Sequence, residues 1–314
     1  MGLTPRAILI AGPTGSGKSA LALALARAHG GQIINADSQQ IFRDWRILTA
    51  RPTPADEASV PHALYGHVAL TQEYSAGHWL REVEGLLNSP LPNAPLPVIT
   101  GGTGLYFKAL TEGLAPIPAV PPEVRARAKT ELARLGFPVF ADMFRDRDPD
   151  TARLIDMANP RRVVRAWEVL EASGTGLAAW QAQTPPPLLP LDDVAAIALN
   201  PPRDWLYVRC DARFEQMLQN GAMEEARAVG NQKLPSDAPG LKAIGARPLL
   251  ACLAGETTLE EAAEQSKTET RRYAKRQLTW QRNQMATWMQ LDPSSDNALD
   301  QAKALLQQDQ DQRR

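Results

Sequence analysis

The stretch AILIAGPTGSGKSALALALARAHGG, residues 7–31, limits the fold more than any other part of the chain. It sets an apolar run, AILIA (7–11), before GPTGSGKS (12–19), and then an apolar-periodic segment that closes on Gly30 and Gly31. Five apolar residues in succession suit a strand buried on both faces, as in a parallel sheet. The next eight residues fit G-x-x-x-x-G-K-[ST] in full, and the glycine pair is a usual helix stop. Glycines let backbone N–H groups turn inward around phosphate oxygens, and the helix N-terminus adds positive potential. Gly12, Pro13, Thr14, Gly15, Ser16, Gly17, Lys18 and Ser19 are therefore the candidate phosphate-binding residues. Lys18 supplies a point charge, and Ser19 can help hold Mg²⁺.

QIINADS (32–38) follows at once and closes on Asp37 and Ser38. Strand, phosphate loop, helix, strand is the opening of a parallel α/β sheet. A proline-studded loop, NSPLPNAPLP (88–97), leads into PVIT and GGTGLYFKAL, and VAAIALN (194–200) reads as a late strand of the same sheet. Two proline clusters, LAPIPAVPP (114–122) and TPPPLLP (184–190), bracket helix-like, arginine-rich sequence. Stiff, extended linkers of this kind mark boundaries. The expected architecture is an α/β, P-loop NTPase-like parallel-sheet core with an inserted small helical domain. The core takes residues 1–115 and 190–314, and the insertion takes 116–189. From about 203 the pattern is helical to the end, with the tail QQDQDQRR solvated and frayed.

At 314 residues, with 44% hydrophobic and 22% charged content, the chain has ample core and the composition of a soluble globular protein. Nothing approaches 18 consecutive apolar residues, and MGLTPR lacks the apolar region of a secretory signal. Cys210 and Cys252 have no metal-type spacing and read as buried small hydrophobes of a reducing cytoplasm. Net charge is −1, so any nucleic-acid surface must be local.

A hydrolytic P-loop protein also needs an acidic residue at the end of a later strand to organise Mg²⁺. PVIT ends in Gly101-Gly102-Thr103 and VAAIAL in Asn200-Pro201, so neither offers a carboxylate. Only QIINADS does, with Asp37 at the carboxyl end where α/β sheets bind ligands. A helix cap ahead of QQIFRD is the competing role for Asp37. Two basic stretches add a second theme. KTETRRYAKRQLTWQR (267–282) carries six basic residues and one acid. On a helix it presents Arg271, Lys275 and Arg282 on one face with Arg272 and Arg276 alongside, while Tyr273, Gln277 and Trp280 turn toward the core. NPRRVVRA (159–166) lies inside the expected insertion. Each alone suits a solvated face; together, in a chain of this net charge, they favour nucleic acid.

These motifs jointly resemble the tRNA dimethylallyltransferases, also called tRNA isopentenyltransferases. The likeness rests on GPTGSGKS, INADSQQIFR, PHALYGHVALTQEYSAG, GGTGLYFKAL, PRRVVRAWEVLEASG, VRCDARFEQML and TRRYAKRQLTWQR, spanning roughly residues 7–288. It implies a Mg²⁺-assisted transfer of a dimethylallyl group from dimethylallyl diphosphate to N6 of adenosine 37 in the tRNA anticodon stem-loop. The enzyme is expected to be monomeric, cytoplasmic and free of membranes. By the same resemblance the phosphate loop holds the diphosphate, Asp37 is the general base, and Thr14 positions the reacting groups. Arg209 binds the departing diphosphate, with Arg213 the alternative. Asp37, Ser38, Gln39, Gln40, Thr103, Arg161, Arg162, Val163, Val164 and Arg165 correspond to tRNA contacts, with Arg125 a weaker candidate. Arg247, Arg271, Lys275 and Arg276 complete the expected tRNA surface. The chain departs from the family pattern at AIGARP (243–248), where Ala246 and Pro248 replace a tyrosine and a glutamine, and at Pro160 and Gln281. A small-molecule kinase and a nucleotide-gated RNA-binding switch are the rival readings; the first has no use for two basic helices, and the second needs a metal carboxylate on a later strand.

Overall fold

The fold is that of a computed structural model, which describes residues 5–88 and 94–312. Residues 1–4, within MGLTPR, 89–93 of the proline loop and 313–314 of the tail lie outside the described residues. The chain divides into two compact units, residues 1–111 with 188–314, and residues 112–187.

The first unit is built on six parallel strands: β1 (Ala7–Ala11), β2 (Gln32–Asn35), β3 (His62–Ala63), β4 (Pro97–Gly101), β5 (Val194–Leu199) and β6 (Met289–Leu291). They lie in the order β3-β2-β4-β1-β5-β6. Strand β1 sits between β4 and β5, with Leu9 opposite Ile99 and Ala196. Both faces of β1 are covered, which is why its five residues are all apolar. The pleat sends Leu9 to a core with Ile34, Ile99, Trp79, Phe107 and Trp288. Ile8 and Ile10 enter the opposite core with Leu25, Val98 and Leu306.

The connecting helices are α1 (Lys18–His29), α2 (Pro54–Ser59), α3 (Ala76–Leu87) and α4 (Gly104–Glu112). Helix α1 stops where expected, with Gly30 in the left-handed region at φ 60°. Two expectations need correction. The chain after 203 is not helical throughout, because β6 pairs with β5, Ile197 facing Met289 and Leu199 facing Leu291. A three-residue edge strand between helices has too little length to show a period. Nor does QQIFRD form a helix: residues 38–41 turn without one, so Asp37 caps no helix.

In the second unit the helices are α5 (Pro122–Leu135), α6 (Phe137–Arg147), α7 (Pro149–Leu154), α8 (Pro160–Ser173) and α9 (Leu177–Gln181). They close on Phe140, Phe144, Val163 and Trp167. Asn159 caps α8, its side-chain oxygen accepting from the Arg161 and Arg162 amides, and Pro160 sits in the first turn where its missing N–H is harmless. Val163, Ala166 and Trp167 face inward, and Arg161, Arg162 and Arg165 face solvent. The first unit ends with α10 (Arg203–Gln219), α11 (Ala222–Gly230), α12 (Ala246–Leu253), α13 (Leu259–Gln284) and α14 (Ala298–Gln312). No helix among the described residues is long and apolar enough to cross a membrane.

Candidate active site

The phosphate loop turns on two glycines in the left-handed region, Gly15 at φ 82° and Gly17 at φ 87°, and delivers Lys18 into the first turn of α1. Lys18 is buried, with Nζ 3.5 Å from the Pro13 carbonyl and 4.0 Å from Asp37 Oδ2. Burial pushes its ammonium down to about 8, against the pull of Asp37, and the Arg213 charge lowers it further.

Asp37 is held from both sides. Its N–H donates to Asn35 Oδ1 at 2.8 Å, and the Asn35 amide donates back to the Asp37 carbonyl and to the Leu64 carbonyl, each at 3.0 Å. Asp37 Oδ1 accepts from the Gln39 amide at 3.0 Å, a local turn rather than a helix cap. Oδ2 is left facing Lys18. Asn35 is in turn fixed by the Trp79 indole, which donates to its carbonyl at 2.6 Å.

Helix α10 places two arginines against the loop. Arg209 lies over the Trp205 ring at 4.6 Å, and its Nε donates to the Gly15 carbonyl at 2.9 Å. Arg213 reaches further in: Nη1 donates to Thr14 Oγ1 at 3.2 Å. Burial lowers the Arg213 pKa and Asp37 opposes that shift. Cys210, between them, points Sγ at the Thr14 carbonyl, and burial pushes its thiol up to about 11. A cleft beside the loop is lined by Gly15, Gly17, Lys18, Ser19, Arg209 and Arg213. An adjoining cavity has Thr14, Lys18 and Asp37 at one end. Leu48, Phe214, Met217 and Ile244 make its apolar wall. The site thus has a cationic end, an apolar end and one carboxylate at their junction. It suits a ligand with an anionic head and a short apolar tail.

Helix α13 runs past this junction. Gln277 accepts from the Thr14 amide at 2.9 Å and donates to the Gly102 carbonyl at 2.9 Å, tying the phosphate loop to the loop after β4. Thr103 Oγ1 accepts from the Ser38 amide at 2.8 Å and donates to Ser38 Oγ at 3.1 Å. Gln281, one of the departures from the family pattern, donates to the Leu199 carbonyl at 2.8 Å and anchors α13 to the end of β5.

The other expected residues divide by exposure. Gln40 is buried and donates to the Thr49 and Ala50 carbonyls, while Gln39 accepts from the Ile244 amide. Val163 is in the core of the second unit and Val164 is partly buried. Arg125, Arg161, Arg162, Arg165 and Arg247 are exposed, Arg165 with Glu168 3.7 Å away. On α13, Lys275 and Arg276 are exposed, the latter over the Tyr273 ring at 5.6 Å. Arg271 is not a free cation: it pairs with Asp211 of α10 at 2.6 Å.

Sequence patterns and known structures identify the family to which this fold belongs. The IPP transferase family pattern matches residues 40–284, and the isopentenyl transferase pattern matches residues 5–62. The chain belongs to the IPP transferase family. Within that family it is 55% identical to a tRNA dimethylallyltransferase of Dinoroseobacter shibae, over 92% of this chain and 95% of that one. It is 54% identical to another of Cereibacter sphaeroides, over 91% and 88% respectively. The crystal structure of the full-length tRNA isopentenylpyrophosphate transferase from Bacillus halodurans aligns with TM-score 0.70 at 29% identity, covering 98% of this chain and 97% of that one. A eukaryotic dimethylallyltransferase acting on tRNA aligns with TM-score 0.79 at 25% identity, over 95% and 77%. Two elements of the site carry little signal in the sequence when read alone. The apolar wall comes from residues scattered between 48 and 244. Gln277 reads there as a packing residue, although it lies inside the AKRQLTW motif of the family likeness.

Proposed function

We propose that this protein transfers the dimethylallyl group of dimethylallyl diphosphate to N6 of adenosine 37 in tRNA, giving N6-isopentenyladenosine and diphosphate. The observation that carries this reading is the placement of Asp37 at the junction of a phosphate loop and an apolar cavity, 4.0 Å from Lys18. The alkyl chain lies along Leu48, Phe214, Met217 and Ile244, and the diphosphate lies on the loop amides with Lys18 and Arg213. Arg213, reaching Thr14, and Arg209, bracing Gly15, both serve the leaving group. A planar guanidinium suits charge that builds on the departing oxygens.

The bond from the allylic carbon to the bridging diphosphate oxygen breaks as the carbon–N6 bond forms. The proton released from the amine goes to Asp37, which lines the cavity with Oδ2 4.0 Å from Lys18. Thr14, bonded through its hydroxyl to Arg213 and through its amide to Gln277, holds the loop at the reacting centre. The donor set fits Mg²⁺: the Ser19 hydroxyl borders the cleft and would share the ion with diphosphate oxygens and water. The ion would neutralise charge on the leaving group.

The adenine must leave the anticodon stack to reach a buried carboxylate. Ser38, Gln39, Gln40 and Thr103 frame the approach. Arg247, Lys275 and Arg276 supply phosphate contacts on the first unit, and Arg125, Arg161, Arg162 and Arg165 on the second. The test is incubation with Mg²⁺, labelled dimethylallyl diphosphate and unmodified tRNA. Label is expected in tRNA at adenosine 37, and its absence under conditions where ATP turns over would favour the kinase reading instead.

A further inference from the structure

The turn carrying part of the apolar wall is held by a side chain that touches no substrate position. Glu225, in the first turn of α11, accepts three consecutive backbone N–H groups. Oε1 takes those of Arg46 at 2.6 Å and Ile47 at 2.9 Å, and Oε2 takes that of Leu48 at 2.8 Å. The nearby guanidinium is committed elsewhere, since Arg46 pairs with Glu57 at 3.1 Å and donates to the Pro52 carbonyl. A carboxylate on successive amides is the protein's own version of an anion nest.

What the turn presents makes this more than a loop anchor. Leu48 and Thr49 line the apolar cavity, and Ala50, in the left-handed region at φ 48°, lines the phosphate cleft. Leu48 packs tightly there: a Cβ added at Gly245 would sit 3.1 Å from both Leu48 Cδ1 and Phe214 Cε2. Gln40 closes the turn from the other side through the Thr49 and Ala50 carbonyls. The turn also closes on itself, Thr49 Oγ1 donating to the Trp45 carbonyl at 2.6 Å and the Ala50 N–H to the Ile47 carbonyl at 2.9 Å, so Gln40 and the Glu225 carboxylate anchor an ordered turn to the body of the unit.

We propose that Glu225 is a positioning residue that fixes the alkyl-chain length the site accepts, by holding Leu48 as the floor of the apolar end. The proposal rests on the reading of that cavity as the alkyl site. Glu225→Gln is isosteric, but its two ends are an oxygen and an amine. Whichever way it turns, at least one of the three amides faces an N–H₂ instead of an acceptor. Released, Leu48 can withdraw and leave room for a longer chain.

The experiment measures tRNA labelling by full-length wild type, Glu225→Gln and Leu48→Ala, with dimethylallyl diphosphate and with the ten-carbon geranyl diphosphate. Thermal melting is recorded alongside. For Glu225→Gln, KM for the five-carbon substrate should rise about tenfold while kcat changes little, and the ten-carbon to five-carbon ratio of kcat/KM should rise about tenfold. Leu48→Ala should raise the same ratio. Glu225→Asp, which keeps the charge and shortens the reach, carries the test if Glu225→Gln does not fold. A lower melting temperature with KM and the ratio at wild-type values would make Glu225 a structural anchor only and overturn the proposal. An unchanged ratio in Leu48→Ala would instead overturn the alkyl reading of the cavity, and the proposal with it.

Discussion

Gln277 bridges two loops that must keep their spacing, and removing the bridge should slow transfer far more than it weakens binding. Its amide is buried and doubly engaged, accepting from the Thr14 N–H and donating to the Gly102 carbonyl, both at 2.9 Å. Gln277→Leu strands both backbone groups away from water. Each stranded group costs about 1–3 kcal/mol, so the ceiling is roughly 2–6 kcal/mol, shared between stability and the reacting geometry. Relief comes by letting the loops move apart, and about 1.4 kcal/mol appearing in the barrier is already tenfold in rate. The expected result is a single-turnover rate lowered about 10–100-fold at saturating substrates, with KM for dimethylallyl diphosphate changed much less. Gln277→Glu sharpens the test. Ionised, it accepts from Thr14 but repels the Gly102 carbonyl; protonated, it restores both contacts. Its rate relative to wild type should therefore climb as pH falls from about 8 to about 5.5. A leucine variant within threefold of wild type, or a glutamate variant whose ratio is flat with pH, would refute the bridging role.

Asp37→Ala should lose about 10²–10⁴-fold in turnover with bound substrates, and near-normal turnover would remove it as the base. Lys18, pushed down to about 8 from 10.5, should make kcat/KM for dimethylallyl diphosphate fall above about pH 8 as the ammonium discharges. Because the unfolded chain holds that proton up to 10.5, the unliganded protein should gain stability between these values. Lys18→Gln should abolish both alkaline effects, and melting curves with rate profiles check them together. On α13 two of the three expected tRNA cations should part company. Lys275→Gln should reduce the slope of log affinity against log salt by about 1. Arg271→Gln should mainly lower the melting temperature, because its partner is Asp211. Equal salt slopes for the two variants would argue against that division.

What was legible in the sequence follows from how local each feature is. The phosphate loop and its flanking strand and helix are read within twenty-five residues, because buried strand, glycine turn and helix stop each leave a contiguous mark. Asp37 was legible by position, at the carboxyl end of the second strand, but its partner Asn35 was not. A side chain bonding two residues along has no periodicity to betray it. Strands β3 and β6 were missed because two or three residues at a sheet edge are too short to alternate. The stripe Arg271–Lys275–Arg282 obeyed helical geometry, yet helical geometry says nothing of Asp211 on a neighbouring helix. Glu225 is the extreme case, an acid 177 residues from the last of the three amides it holds. Nothing near it in the chain records the contact.

The lack of a carboxylate after β4 has a steric cause that joins fold and chemistry. A Cβ at Gly101 would lie 2.0 Å from the Ala36 carbonyl oxygen, and one at Gly102 would lie 2.0 Å from the Gln277 amide nitrogen. The first obstacle is backbone, held in place by the Thr103 N–H that donates to the same carbonyl. No acidic residue fits at Gly101 unless the segment before Asp37 retreats, and that segment is what brings Asp37 to within 4.0 Å of Lys18. The two arrangements exclude each other. A chain that presses residues 36–38 against the end of β4 gains a carboxylate facing an apolar cavity and gives up one at the metal position of a hydrolytic loop. The phosphate loop is then left with amides, Lys18 and arginines but no acid at the end of β4, the equipment to accept a diphosphate rather than to aim water at one.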